Sequence, residues 1–179
     1  MSRAVATVWA MDVEDAIRSR RTHKVFASDP LPRELIDGLL DIARWAPNHH
    51  LTNPWRFRVL GPLALAGLKE IASADQASKL DRAPTLVAVT AVRSDDPVQD
   101  QEDLCATACA VYAVLLAAHG RGLAGYWRTP EVLRTSAGLQ ALGIPPRERF
   151  VALIHLGWPR QDKEPPARLP AVDVVTYLP

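Results

Sequence analysis

One segment in the middle of the chain limits the folds that it can adopt. Gln99 to His119 is predicted to form a long helix, acidic at its start and without a charged side chain from Leu104 to Ala118. A helix that is apolar on every face is buried on every face. In so short a chain this favours a helix at the centre of a dimer, although a helix wrapped by its own fold would meet the same requirement.

Both cysteines of the chain lie in this uncharged stretch. Cys105 and Cys109 are one helical turn apart, so they share a face of the helix. A metal site would need further ligands, and the stretch supplies none. We therefore expect both thiols to pack in the core.

Length and composition favour one folded domain. The chain has 179 residues, 48% of them hydrophobic, and a formal net charge of +1. Such a chain can bury a core, and its balanced charge predicts neither nucleic-acid nor anionic-membrane binding. We recognise no secretory signal, and the uncharged stretch is shorter than the roughly 20 residues that cross a bilayer. We expect a single domain over residues 11–179, a flexible leader over residues 1–10 and a soluble, cytoplasmic protein.

The order of predicted elements indicates an α+β fold without a regular βαβ alternation. Helices are predicted at 13–21, 32–45, 63–74 and 99–119, with one or two short helices in 130–142. Strands are predicted at 55–60, 85–92, 123–127 and 150–156. From Gly157 onward repeated prolines predict an extended arm, of a kind that often lies across a neighbouring chain.

Arg20, Arg21 and Thr22 form the first candidate binding group. Arginine offers paired donors that suit a phosphate, and threonine adds a hydroxyl. A helix end that merely carries cations would look the same, and Arg18 and Lys24 fit that simpler interpretation.

The second candidate group is the loop between the helix at 32–45 and the strand at 55–60. It holds amides, imidazoles and indoles between two prolines, a set that suits a flat heteroaromatic ligand with polar edges. A turn packed by Trp45 and Trp55 is the structural alternative.

The third candidate group runs from Gly122 to Thr129. Its glycines allow a close approach of the backbone to a ligand, and Trp127, Arg128 and Thr129 follow with an aromatic ring, a cation and a hydroxyl. A tight turn that leads into a strand would show the same glycines.

Four motifs occur in a fixed order along the chain. They are Arg-Arg-Thr-x-x-x-Phe, Ala-Pro-x-x-x-x-x-Asn-Pro-Trp-Arg-Phe, Gly-x-x-Gly-x-Trp-Arg and Leu-Gly-Trp-Pro. In this order they resemble the nitroreductase family of flavoproteins, most nearly its compact YdjA-like branch, and the resemblance runs from about Val13 to Leu178.

The resemblance implies a dimeric α+β fold with a mixed, mostly antiparallel sheet flanked by helices and two FMN molecules at the subunit interface. It implies hydride transfer from NADH or NADPH through flavin N5 to a nitroaromatic, a quinone or a related small acceptor, by a ping-pong mechanism. No catalytic side chain is assigned, since the cofactor carries the electrons. The implied cofactor-binding residues are Arg20, Arg21 and Thr22 at the phosphate and ribityl chain, Trp45 and His49 from the partner subunit, and Trp127, Arg128 and Thr129 beside the flavin.

The chain departs from the family pattern in the second motif. Asn48, Leu51 and Asn53 stand where many nitroreductases have Ser, Asn and Gln, which alters the usual polar contacts to the flavin edge. The segment between Gly61 and Pro84 also looks short, so part of a lid over the substrate is expected to be missing.

Two further functions remain open at this point. A flavin-binding or flavin-sensing protein without turnover would carry the same motifs. A nucleic-acid-binding protein would use the basic group around Arg20, but the near-zero net charge and the lack of interleaved aromatic residues argue against it.

Overall fold

Four strands form one antiparallel sheet in the computed structural model, which describes residues 11–179. They are β1 (Trp55–Val59), β2 (Thr85–Val92), β3 (Ala124–Arg128) and β4 (Glu148–Gly157), in the spatial order β1-β2-β4-β3. The two central strands, β2 and β4, are antiparallel, with Val87 opposite Ile154. The predicted α+β class with a mostly antiparallel sheet is confirmed.

The helices lie close to the predicted segments, with one addition. They are α1 (Val13–Ser19), α2 (Arg33–Ala43), α3 (Pro62–Ile71), α4 (Ala74–Leu80), α5 (Pro97–Gly120) and α6 (Ser136–Ala141). Short 3-10 helices occur at His49–Leu51, Glu131–Arg134 and Ala171–Asp173. The prediction of a single helix over 63–74 is wrong at its C-terminal end, because α3 ends at Ile71. The second helix, α4, was not predicted. The backbone of Ala72 is extended, and the Ser73 side chain accepts from the Gln76 N–H, which starts a new helix.

Helices cover both faces of the sheet. On one face, α5 lies across the strands, with α2 beside it, and buries Val111 and Val114 against Val87 and Ile154. The opposite face is covered by α3, α4 and α6 together with the 3-10 helix at 131–134. Because side chains alternate across a strand, neighbouring residues of each strand belong to different layers.

Only one face of α5 is buried within the chain, which argues against the alternative of a helix wrapped by its own fold. The outward face of α5 carries Val98, Cys105, Cys109, Tyr112 and Leu116, the first four of them exposed. The prediction that both cysteines pack in the core is therefore wrong for the single chain. Their spacing places them on the side of the helix opposite Ala110 and Val114.

By length and composition alone, α5 is the one helix of residues 11–179 that could cross a membrane. It has 24 residues, and 44% of its most apolar window is buried inside the fold. Its inward face packs against the sheet as in a core helix, which accounts for the apolar residues of that face without a bilayer.

The segment after β4 has little regular structure, as the prolines predicted. Residues 160–179 are exposed, including the large apolar side chains of Leu169, Val172, Tyr177 and Leu178. The predicted leader at residues 1–10 lies outside the described residues.

His155 on β4 is a polar side chain inside the layer that α3 and α4 cover. It has no exposed surface, and neither ring nitrogen has a hydrogen-bond partner among the described residues. Its ring centroid lies 5.7 Å from that of Tyr126 on β3. Burial, helped by the charges of Arg128 and Arg82, lowers the pKa of His155 from 6.5 to about 3.

We predict an acid-sensitive stability that depends on His155. The pKa of His155 in the folded protein lies below the unfolded value of 6.5. Its contribution to the free energy of unfolding is therefore complete above pH 6.5 and is lost as the pH falls from 6.5 towards 3. The wild type should lose about 2 kcal/mol more unfolding free energy than His155→Leu between about pH 7.5 and pH 5. Urea unfolding at both pH values measures this difference, and equal losses in the two proteins would refute it.

Candidate functional site

The predicted phosphate-binding residues lie against the edge strand β3. Arg20 lies just beyond α1 and has a non-helical backbone (φ −56°, ψ 133°). Thr22 pairs with Gly125 in a short parallel bridge, and the His23 N–H donates to the Gly125 carbonyl at 3.2 Å. The helix predicted over 13–21 is therefore too long, because its last residues bond along the sheet edge instead.

Arg20 and Arg21 have no counter-ion among residues 11–179, where neither guanidinium forms an ion pair with a carboxylate. The Nε atom of each is buried without a hydrogen-bond partner, and Arg21 exposes only 9% of its surface. The Arg20 guanidinium lies 5.8 Å from the centre of the Tyr112 ring on α5. Arg21 Nη1 donates to the Arg20 carbonyl, but the two Nε–H groups remain without an acceptor among the described residues. Buried donors without a partner are costly, and an anion with several acceptor oxygens would satisfy them.

Further basic groups surround these arginines. Burial, followed by the charges of Arg20, His23 and Arg21, lowers the pKa of His119. The pKa of His23 is lowered by burial first and then by Lys163, whose Nζ donates to the Thr22 carbonyl at 3.0 Å. A site that disfavours further positive charge is suited to an anion.

Sequence analysis missed His23, His119 and Lys163. They come from the segment after α1, from the end of α5 and from the C-terminal arm. No local pattern marks them, since each is an ordinary basic residue in its own segment.

The third motif divides between the two faces of β3. Trp127 packs in the layer of α5. Arg128 lies on the opposite face, where its Nη1 donates to the Lys79 carbonyl at 3.1 Å and burial lowers its pKa. The Thr129 hydroxyl accepts from Arg134 Nη2 at 2.9 Å. The structure thus places Trp127 on the side of the sheet that carries α5, and it ties Arg128 and Thr129 to other parts of the fold.

Trp45 stands beside the outward face of α5. It follows α2 and is 77% exposed. With Tyr112, Cys109 and Leu116 it lines an almost wholly apolar groove of about 620 Å³. An exposed indole next to such a groove provides a surface for an aromatic ligand or for another protein chain.

His49 belongs to the loop before β1 and contacts α5 closer to the N-terminal end of that helix. Its Nδ1 is 2.7 Å from Glu102 Oε2, near the start of α5, and its ring stacks on His50 with centroids 3.8 Å apart. One residue on, the Asp103 carboxylate accepts from the Thr52 hydroxyl at 2.5 Å. The loop that carries His49 is therefore fastened to α5 at two successive residues.

The backbone of this loop is strained. His50, Leu51 and Asn53 have positive φ angles of 54°, 52° and 47°, which L-residues other than Asn and Asp rarely adopt. Asn48 Oδ1 accepts from the Asn53 N–H at 2.9 Å, and Asn53 Nδ2 donates to the Leu51 carbonyl at 2.7 Å. The residues that depart from the family pattern thus hold the loop in shape, and strain of this kind clusters at binding sites.

The two halves of the candidate site are separated within one chain. The Arg20 group, which consists of Arg20, Arg21 and Thr22, lies near Tyr112 and His119. His49 instead contacts Glu102. At 1.5 Å per residue, Glu102 and Tyr112 are roughly 15 Å apart along the helix axis. A single chain therefore presents two partial sites on one exposed helix face.

Comparison with known proteins identifies the fold. A family model described as the nitroreductase family matches residues 17–158. The chain belongs to the nitroreductase family. This membership supports a flavin-dependent oxidoreductase in general, without specifying the acceptor.

Two relatives of known sequence match along nearly their whole length. YfhC of Bacillus subtilis (strain 168), provisionally named an NAD(P)H nitroreductase, is 30% identical over 182 residues, covering 93% of this chain and 94% of that protein. YdjA of Escherichia coli (strain K12), with the same provisional name, is 25% identical over 183 residues, covering 94% and 100%. The chain thus has the length of these compact nitroreductases, as its motifs indicated.

Solved structures agree with this assignment. A provisionally named nitroreductase from Desulfovibrio desulfuricans, solved in complex with FMN, has a TM-score of 0.79 and 27% identity, covering 94% of this chain and 98% of that one. A nitroreductase-like protein from Bacillus cereus has a TM-score of 0.86 at 21% identity, covering 94% and 96%. The second likeness concerns the fold alone.

We predict that the Arg20 group binds a phosphate and that His119 reports it. Arg20→Gln removes a charge that lowers the pKa of His119, so that pKa should rise. The same change should weaken phosphate binding by about one to two decades, through the loss of a charge-assisted hydrogen bond. NMR titration of His119, with and without inorganic phosphate, measures both effects.

Arg18→Gln is the matched control, because Arg18 lies in the last turn of α1, close to Arg20 in the sequence. Unlike Arg20, it is exposed and forms an ion pair with Glu14. It should leave phosphate affinity unchanged. If Arg20→Gln and Arg18→Gln behave alike, Arg20 is an ordinary surface cation.

Proposed function

We propose that this chain binds FMN and passes hydride from NADH or NADPH to a small acceptor such as a nitroaromatic or a quinone. The observation that carries the proposal is that the buried Nε atoms of Arg20 and Arg21 have no hydrogen-bond partner among the described residues, in a chain of the nitroreductase family. The complex of the Desulfovibrio desulfuricans relative with FMN and the provisional NAD(P)H nitroreductase name of YfhC support it.

The residues of the Arg20 group fit one terminal phosphate. Two guanidiniums and the Thr22 hydroxyl supply donors to a dianion, and Lys163 adds positive charge nearby. The Gly-x-Gly-x-x-Gly pattern from Gly120 to Gly125 leads from the end of α5 into β3, the reverse of the strand-to-helix turn that holds a dinucleotide pyrophosphate. FMN is therefore preferred over FAD.

The protein's part in the reaction is binding, orientation and exclusion of water. When bound, FMN supplies the acceptance and release of a hydride equivalent. Trp127 borders the cofactor from its own chain, in the layer of α5. The electron donor and the acceptor use the same opening in turn, which gives ping-pong kinetics, and no side chain is required to move a proton in the hydride step.

The complete site needs a second copy of the chain. The outward face of α5 repeats apolar residues at spacings of three and four, the pattern of a helix seam. A two-fold axis across this face pairs the His49 half of one chain with the Arg20 half of the other. The exposed apolar residues of the arm after Gly157 add cover for the neighbouring subunit. We propose a cytoplasmic homodimer with Trp45 and His49 contributed by the partner.

The first test is spectroscopic. We expect the purified protein to be yellow or to take up FMN in preference to FAD, and the flavin absorbance to bleach when NADH or NADPH is added without oxygen. Addition of a nitroaromatic or a quinone should then restore the colour. Binding of FAD alone would refute the phosphate assignment, and FMN binding without bleaching would identify a flavin-binding protein without turnover.

The second test asks whether one site uses residues of two chains. Arg20→Ala should weaken FMN binding by about one to two decades, and His49→Ala by less. In a mixed dimer of these two variants, a shared site predicts that one flavin site carries both lesions and the other carries none. Half of the sites should then titrate with wild-type affinity.

If both residues serve the site of their own chain, every site in the mixed dimer carries one lesion and no wild-type site remains. Sedimentation of the wild-type holoprotein should first show a dimer. A stable monomer at low micromolar concentration would contradict the shared site.

A further inference from the structure

His49 is held on two sides, while its second ring nitrogen makes no hydrogen bond within residues 11–179. Glu102 Oε2 lies 2.7 Å from its Nδ1. The His50 ring stacks on it, with an angle of 21° between the planes. These two contacts determine both the position of the ring and the direction of its remaining nitrogen, Nε2.

The Glu102 contact also selects the tautomer of the imidazole. An ionised carboxylate only accepts hydrogen bonds, so the proton of this contact belongs to Nδ1. In a neutral ring Nε2 is then an acceptor without a proton. Without Glu102, nothing in the described contacts of His49 would hold the proton on Nδ1.

Glu102 belongs to a rigid element rather than to the loop. It lies in the first half of α5, next to Asp103, which is buried and accepts from Thr52 and from Gln99 Nε2 at 3.0 Å. The loop's own bonds between Asn48 and Asn53 hold its backbone. Orientation of His49 relative to α5 thus depends on Glu102, whereas the shape of the loop has other supports.

We propose that Glu102 is a positioning residue of the flavin site, which fixes His49 as the Nδ1–H tautomer so that Nε2 is presented to the cofactor as an acceptor. This role rests on the proposed function, in which His49 contacts FMN bound mainly by the other chain. An acceptor at Nε2 suits a donor on the cofactor, such as a ribityl hydroxyl or the flavin N3–H.

Two substitutions test whether the hydrogen bond of Glu102, rather than its charge or its size, holds His49. Glu102→Gln keeps an acceptor oxygen for the Nδ1–H, whereas Glu102→Leu removes it. Nitrogen-15 NMR of the histidine rings in the FMN-free protein, at about pH 8.5 where imidazoles are neutral, reads the tautomer directly. We expect Nδ1–H at His49 in the wild type and in Glu102→Gln, and a change to Nε2–H in Glu102→Leu.

FMN affinity should follow the tautomer. Glu102→Leu should weaken binding about tenfold, the loss of one hydrogen bond, and Glu102→Gln should bind like the wild type. Glu70→Leu is the control, since Glu70 is exposed on α3 across the sheet from α5. It should change neither the tautomer nor the affinity.

The possible results are distinct. The proposal is overturned if His49 keeps its Nδ1–H in Glu102→Leu, if that variant binds FMN like the wild type, or if Glu102→Gln fails as badly as Glu102→Leu. Absence of FMN binding by the wild type would refute the proposed function, and the role of Glu102 with it.

Discussion

The burial of one face of α5 against the sheet is the constraint on which the rest of the structure depends. Val111 and Val114 pack on the central strands, which determines the orientation of the whole helix. The opposite face then points outward with Cys109 and Tyr112, although it is equally apolar. Such a surface favours association, and both halves of the candidate site lie along it. Fold and proposed dimer are therefore consequences of the same helix.

Arg20 and Arg21 differ from the arginines that tie the fold together by ion pairs. Arg58 forms a bidentate ion pair with the buried Glu148, and Arg149 forms an ion pair with Asp100. These pairs join strands and helices of the fold. Arg20 and Arg21 have no such partner among the described residues, although their Nε atoms are buried. These two buried Nε–H groups without an acceptor make the position suited to receive an anion.

The loop around His49 shows how departures from a family pattern can be compensated. Asn48 and Asn53 replace residues that elsewhere make polar contacts to the flavin edge, and here they bond within the loop. Leu51 is left exposed, with a positive φ angle. With these two amides engaged in the loop, His49 and Thr52 are the loop side chains that bond to α5, at Glu102 and Asp103. The substitutions therefore shift the expected contact to the imidazole.

Local patterns in the sequence determined the elements and the order of the motifs. The β-branched run predicted at 85–92 is β2 without an error in its bounds, and the long apolar helix is α5. Both follow from the preferences of neighbouring residues, which act over a few positions. The break between α3 and α4 was not predicted, because both segments are helical and only the extended backbone at Ala72 separates them.

Tertiary packing alone decided which residues meet. The sequence could not show which face of α5 the sheet covers, so Cys105 and Cys109 were assigned to the core. Nor could it show that the face of Trp127 is the one that α5 covers, or that His119 and Lys163 join the Arg20 group from far along the chain. Periodicity reports that a face is apolar or basic, but its neighbour depends on how distant elements pack.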